Sequence, residues 1–287
     1  MADVIARRCG VSLEWRDDVA IILLDNPPVN GLNSSILLRL RTLADRVACG
    51  AAIGVVIAGR GRMFSAGADV REFDRYLEER VDPHPILASI ESLHKPVVAA
   101  LHGHCLGGGL EVAMAAHSRV AASDTRLGLP EVRLGLLPGG GGTQRLPRLV
   151  GITIAADLIA DGAAIGASEA VEIGLVDRTC DGDPVAAGIA FVRELVGSKR
   201  GYLPRRTGAL PGPLMPPDQR WEEIKKGYAD PGPTRRARLA ALECVAAAAV
   251  LPFEMGLKKE AAAFDDLARS EEAVTLIRQF LEGQPSR

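Results

Sequence analysis

The run Pro96-Val97-Val98-Ala99-Ala100-Leu101 is apolar throughout and leads within a few residues into Gly107-Gly108-Gly109 and the alanine-rich stretch Leu110–His117. A short apolar run bounded by glycine reads as a buried strand, and the stretch after the glycines reads as a helix. Consecutive glycines let the backbone approach a ligand and aim its N–H groups outward. The first turn of a helix leaves its own N–H groups without internal partners. Such a turn suits a developing negative charge.

Two carboxylates stand beside glycine-rich turns in this part of the chain. Glu111 lies two residues after Gly109, and Glu131 sits between Pro130 and Val132 ahead of Gly139–Gly142 and Thr143-Gln144-Arg145. The apolar flanks of Glu131 predict partial desolvation. Each acid also has a purely structural explanation. Glu111 suits the first turn of a helix through the macrodipole, and Glu131 has Arg133 and Arg145 within reach as ion-pair partners.

Composition narrows the classes. With 287 residues and 47% hydrophobic content the chain can bury a core of its own, as one large domain or one with a smaller appendage. A formal net charge of −2 gives no footprint for a polyanion and disfavours nucleic acid as the main partner. Cys9, Cys49, Cys105, Cys180 and Cys244 are odd in number and never spaced C-x-x-C, which predicts reduced thiols in a cytoplasmic compartment. Cys105 beside His102 and His104 invites a zinc reading. No second ligand cluster accompanies them, so packing is the better account and no metal site is expected. Asp3, Arg7 and Arg8 argue against a signal peptide, and no apolar run is long enough to span a bilayer.

Along the chain, Val11–Trp15 and Val19–Leu24 predict a hairpin, and Ile36, Leu37, Leu40, Leu43, Ala44 and Val47 recur at helical spacing behind Ser34 or Ser35 as N-cap. Ile53–Ala58 reads as a buried strand that turns at Gly59–Phe64 into the small residues Ser65-Ala66-Gly67-Ala68. Residues 75–92 form a charged excursion broken by Pro83 and Pro85, with Ile86, Leu87 and Ile90 facing inward. Helical composition follows over 149–161, over 168–174 with Ser168 as cap, and over 185–196, while Leu175–Asp177 closes the sheet. Prolines at 204, 211, 213, 216, 217, 231 and 233 mark a boundary. Beyond it, residues 235–250, 253–269 and a Ser270-capped final stretch are helical.

The segments Leu106–Met114 and Gly128–Gly139 resemble the enoyl-CoA hydratase/isomerase (crotonase) family. The likeness extends to Asn26–Asn30, Gly61–Phe73, Gly142–Gly151 and Phe253–Leu257, and is nearest to the hydratase half of multifunctional β-oxidation enzymes. The resemblance implies an α/β fold, a crotonase-type spiral of ββα units with an all-helical C-terminal region. The corresponding divisions are 1–200 for the spiral core, 201–233 for a proline-rich connection and 234–287 for the helical region. Relatives assemble as trimers or dimers of trimers. No strand-linked G-x-G-x-x-G is present, so a 3-hydroxyacyl-CoA dehydrogenase would be a separate partner or a fused domain.

By the same resemblance, the Ala68 and Gly108 N–H groups form an oxyanion hole, Glu111 activates a water and Glu131 passes a proton to the α-carbon. Ala66, Ala68, Asp69 and Val70 contact coenzyme A, which belongs to the substrate, so no separate cofactor is expected. The implied activity is hydration of trans-2-enoyl-CoA in fatty-acid β-oxidation. The alternatives are Δ3-Δ2-enoyl-CoA isomerisation at the same site or non-catalytic acyl-CoA binding. Gly140 and Gly141 depart from the bulkier residue usual in that turn and predict a more flexible loop. A spiral-fold serine protease would need a nucleophile, and Ser65 lacks the G-x-S-x-G context.

Overall fold

The computed structural model describes residues 10–73, 81–198 and 202–283. The chain divides into two compact units, each assembled from separate stretches. The first takes the described residues up to Asp69, Val81–Leu127 and Ile165–Thr207; the second takes Val70 onward, Gly128–Ala164 and Gly208 onward. These borders differ from divisions at 200 and 233, because residues 128–164 pack with the C-terminal helices.

In chain order the strands are β1 Val11–Arg16, β2 Val19–Leu24, β3 Gly54–Gly59, β4 Val97–Leu101, β5 His104–Leu106, β6 Ser118–Ala122, β7 Arg126–Gly128, β8 Ala164–Gly166 and β9 Arg178–Cys180. The six-stranded sheet has the order β1-β2-β3-β4-β6-β9. β1 and β2 form the antiparallel hairpin, turning at Asp17, where φ is 55°, and every later pairing in that sheet is parallel. β2, β3 and β4 are buried along their whole length, the usual fate of continuous Val/Ile/Leu/Ala runs in a parallel sheet. β5, β7 and β8 form a second, three-stranded sheet.

The helices of the first unit are α1 Ser34–Ala48, α2 Pro83–Glu91, α3 Gly108–Ala115, α6 Ala167–Glu172 and α7 Pro184–Val196; α4 Gly142–Val150 and α5 Ile152–Asp161 lie between α3 and α6 in the chain and belong to the second. α7 lays Ile189, Phe191 and Val192 over Val56, Val98 and Val120 of the sheet. α1 buries Ile36, Leu40, Leu43, Ala44 and Val47 as its spacing predicts, while Leu37, expected on the same face, is only half-buried. Its cap, however, is Asn33, whose side chain accepts from Ile36 N–H. Pro83 begins α2 instead of interrupting an excursion. It occupies the first helical position, where no N–H is needed, behind the Asp82 cap. The part of that predicted excursion at 75–80 lies outside the described residues. Gly166, not Ser168, precedes α6, and β9 closes the sheet just after the expected Leu175–Asp177.

The second unit continues with α8 Asp218–Gly227, α9 Arg235–Val250, α10 Phe253–Ala268 and α11 Glu271–Leu281. α9 buries Ala237, Ala241, Cys244, Ala247 and Ala248, small residues that let it lie close against α4, α5 and α10. Ser270 Oγ accepts from Ala273 N–H at the start of α11, as its sequence predicts. Among the described residues no helix is long and apolar enough to cross a membrane.

Candidate active site

In the first unit the loop Asn26–Leu32 supports the small-residue turn 65–68. Asn30 is buried at φ 51° and donates from Nδ2 to the carbonyls of Arg60, Met63 and Phe64 at 2.9, 2.9 and 3.2 Å. Asn is among the few residues that adopt this backbone conformation readily. Ser65 is pinned on every side. Its N–H donates to His104 O, its carbonyl accepts from Leu106 N–H, and its hydroxyl donates to Asn30 O at 2.7 Å while accepting from Gly67 N–H at 3.1 Å. A hydroxyl so engaged, with no exposure, is a brace and not a nucleophile.

The turn held in this way presents Ala68 at the surface. Ala66 is exposed too, with its N–H taken by Val29 O, and Asp69 is half-buried with its N–H on Leu32 O. Neither the Ala68 nor the Gly108 N–H donates to any other described residue. Gly107 caps α3 and has no side chain to occupy the helix's first donors. A methyl group built on Gly108 would lie 3.7 Å from Ala68 N and 3.8 Å from Glu111 Oε2. Two backbone donors and one carboxylate therefore border the same small space. Gly109 serves closeness, since a Cβ there would stand 2.7 Å from Ser65 Cβ. Glu111 is 4% exposed in the first turn of α3, where the helix dipole favours its negative form.

The structure thus brings Ala68, Gly108 and Glu111 together in the first unit, beside Ala66 and Asp69. Val70 and Glu131 belong to the second unit. Val70 opens a single 3-10 turn, Val70–Glu72. Glu131 opens another, Glu131–Leu134, which ends at Gly135 and packs against α5, α9 and α11. Glu131 is half-buried and its Oε2 is shielded from solvent, in keeping with its apolar flanks.

The glycine turn after Glu131 overturns the expectation of a flexible loop. Gly140, Gly141 and Gly142 are buried, and a Cβ on Gly139 would meet the Phe264 ring at 2.7 Å. Gly141 has φ 97°, and a Cβ there would overlap the Arg145 guanidinium. The turn is glycine-rich because other groups fill the space. Glu260, buried on α10, accepts from Gly141 N–H at 2.6 Å and from Thr143 N–H at 2.9 Å, and so caps α4 from a distant helix.

Asn30, Ser65 and Glu260 were not among the site residues read from sequence. Asn30-Gly31 is a left-handed turn signal, and Glu260 is an acid on the apolar face Leu257, Phe264 and Leu267 of α10, so two of the three carry a local trace. His102 Nε2 pairs with Gly61 O and Cys105 is buried. Among the described residues no group of three or more His, Cys, Asp or Glu is arranged to hold a metal ion.

In this parallel-sheet α/β unit two small-residue turns bring the Ala68 and Gly108 backbone N–H groups to the border of one small space beside Glu111. Residues 14–200 match the family described as Enoyl-CoA hydratase/isomerase, and the chain belongs to that family. It is 37% identical over 282 residues to a probable enoyl-CoA hydratase of Bacillus subtilis, covering 95% of this chain and 96% of that protein. It is 40% identical over 271 residues to the peroxisomal bifunctional enzyme of Danio rerio, covering 91% of this chain and 36% of that longer protein. The crystal structure of an enoyl-CoA hydratase from Mycobacterium avium subsp. paratuberculosis shares the fold with a TM-score of 0.67 at 20% identity, over 97% of this chain and 98% of that one.

Proposed function

We propose that this protein is an enoyl-CoA hydratase that adds water across the 2,3 double bond of trans-2-enoyl-CoA, giving 3-hydroxyacyl-CoA in fatty-acid β-oxidation. The observation that carries the reading is the closeness of Ala68 N, Gly108 and the Glu111 carboxylate around one small space, with neither the Ala68 nor the Gly108 N–H donating to another described residue. Conjugate addition places negative charge on the thioester oxygen, and each preorganised N–H aimed there contributes about 3–4 kcal/mol. In this reading Glu111 takes a proton from the water that attacks C3 while Glu131, which enters the step protonated, delivers one to C2; transfer of the proton from Glu111 to Glu131 through water then restores the starting state, so that one water is consumed overall. Coenzyme A enters as part of the substrate, contacted by Ala66, Ala68, Asp69 and Val70, and no further cofactor is needed.

The reading includes a reducing compartment such as the cytoplasm, supported by the free thiols Cys49, Cys105, Cys180 and Cys244. It also includes a homotrimer or dimer of trimers, supported by exposed apolar side chains of the second unit, among them Leu214 and Val250, and tested by sedimentation equilibrium. A 3-hydroxyacyl-CoA dehydrogenase, separate or fused, would consume the product.

The test is loss of enoyl-thioester absorbance with crotonyl-CoA and a longer enoyl-CoA. Glu111→Gln and Glu131→Gln should each lower kcat by about 10²–10⁴-fold. Inert wild type that converts 3-enoyl-CoA, with only Glu131 required, would make it an isomerase. Tight binding of the esters without turnover would make it a binding protein.

A further inference from the structure

α3 has eight residues and spans about 12 Å, and its N-terminal end carries both Gly108 and Glu111. No side chain caps that end, because a capping group would occupy the donors the reaction needs. The helix must be fixed from its other end.

That end is held by a buried array of polar side chains. Arg119 has no exposure, and its Nη1 donates to the carbonyl of Ala116, the C-cap of α3, at 3.0 Å and to that of Ala113 in its last turn at 3.3 Å. Its Nε donates to Leu175 O at 2.6 Å, and its own N–H donates to Asp177 Oδ2 at 2.7 Å. Asp177 is shared with Arg205, which contacts its Oδ1 at 2.8 Å and also donates from Nε to His117 O. Thr207 Oγ1 adds a bond to Met114 O. Burial lowers the Arg119 pKa to about 10, with Asp177 opposing the shift, so the guanidinium stays charged at neutral pH. A cation there also complements the negative end of the helix dipole.

We propose that Arg119, braced by Asp177 and Arg205, is a positioning residue that sets the Gly108 N–H and the Glu111 carboxylate by clamping the far end of α3. The inference deepens the hydratase reading and rests on it for the identity of the reaction. A lysine could reach one of these carbonyls but cannot present two donors to α3 and a third to Leu175 at once, so Arg119→Lys is not conservative here.

The experiment pairs crotonyl-CoA kinetics with the infrared frequency of the thioester carbonyl in bound butyryl-CoA carrying 13C at that carbon. In wild type the two N–H groups should lower this frequency on binding. Arg119→Lys and Arg119→Met are expected to lower kcat by about 100-fold with KM changed by no more than about threefold, since misplacement of about 1 Å costs that much. Both should lose part of the carbonyl shift. The combined Asp177→Asn and Arg205→Met variant, which leaves Arg119 in place, should move both readouts the same way to a smaller extent.

Folded Arg119→Met with wild-type kcat and carbonyl frequency overturns the clamp. If Arg119→Met does not fold, the same result in the Asp177→Asn and Arg205→Met variant overturns it. Inert wild type that still shifts the carbonyl defeats the hydratase reading alone, and the infrared comparison then decides the clamp. Absence of any shift in wild type overturns the clamp as well.

Discussion

Glu260 accepts hydrogen bonds from both the backbone N–H and the hydroxyl of Thr143, 117 residues away in the chain. With Gly141 N–H as a further donor, this carboxylate satisfies the buried N-terminal donors of α4 and closes the glycine turn that follows Glu131. Its substitution separates the stability of the second unit from the chemistry of the first. Glu260→Ala should cost about 3 kcal/mol in urea denaturation, because buried donors lose a charged acceptor. Glu260→Gln keeps one acceptor oxygen and should cost less. Equal stability of wild type and Glu260→Ala would refute the cap.

The neighbours Gly108 and Gly109 should respond in opposite ways to alanine. At Gly108 the new methyl meets only ordinary contacts of 3.5 Å or more, so the fold is expected to persist with stability unchanged or up to about 1 kcal/mol higher. That methyl fills the space bordered by Ala68 N–H and Glu111, and kcat/KM should fall at least about 100-fold. Gly109→Ala forces a methyl against Ser65 and should cost about 1–3 kcal/mol. Thermal melts beside steady-state kinetics check both.

Ser65→Ala removes two hydrogen bonds from the turn that presents Ala68. A stability loss of about 1–2 kcal/mol is expected. A fall in kcat of about tenfold should accompany it as the N–H loses its fixed aim. Asn30→Asp is the harsher change, since it turns a donor to three carbonyls into a carboxylate facing them, and should cost about 3 kcal/mol or more. Urea titration of the two variants should rank them in that order.

His117 gives the first unit a pH dependence. Its pKa is lowered, chiefly by burial, with its Nε2 against Glu91 O and its Nδ1 receiving Val97 N–H and the Tyr202 hydroxyl. All three contacts suit the neutral ring with hydrogen on Nε2. Below the unfolded value of 6.5 the unfolded chain takes up a proton that the folded one refuses. Stability from this group is therefore present above that value and lost as pH falls through the folded pKa, at up to about 1.4 kcal/mol per pH unit. The urea midpoint of wild type should drop between pH 7.5 and 5.5 more steeply than that of His117→Gln.

Local signals made much of the fold legible. α9, α10 and α11 fall where apolar spacing and the Ser270 cap put them, and β1 and β2 follow from two apolar runs around a polar turn. The three-residue strands β5, β7 and β8 left no trace, because so few residues establish no alternation. The proximity of Ala68, Gly108 and Glu111 was readable through their motif. Their supports in the first unit were not, since Ser65 with Asn30 and Arg119 with Asp177 meet only through tertiary structure, and the same holds for Glu260 with Thr143 in the second unit. Arg119 interrupts an otherwise small and apolar strand, a signal visible only when a buried cation is sought there.

Neither unit is a continuous piece of chain, and that bears on the order in which the protein can form during synthesis. When residues 128–164 leave the ribosome, Ile152, Ala155 and Ile159 present a sticky face whose cover, α9, has yet to be translated. The first unit waits as well, for Arg205 and Thr207 to arrive. Nascent chains of this topology must shield an unfinished helical segment in midstream, which makes the interval before α9 emerges the point at which a holdase chaperone would matter most.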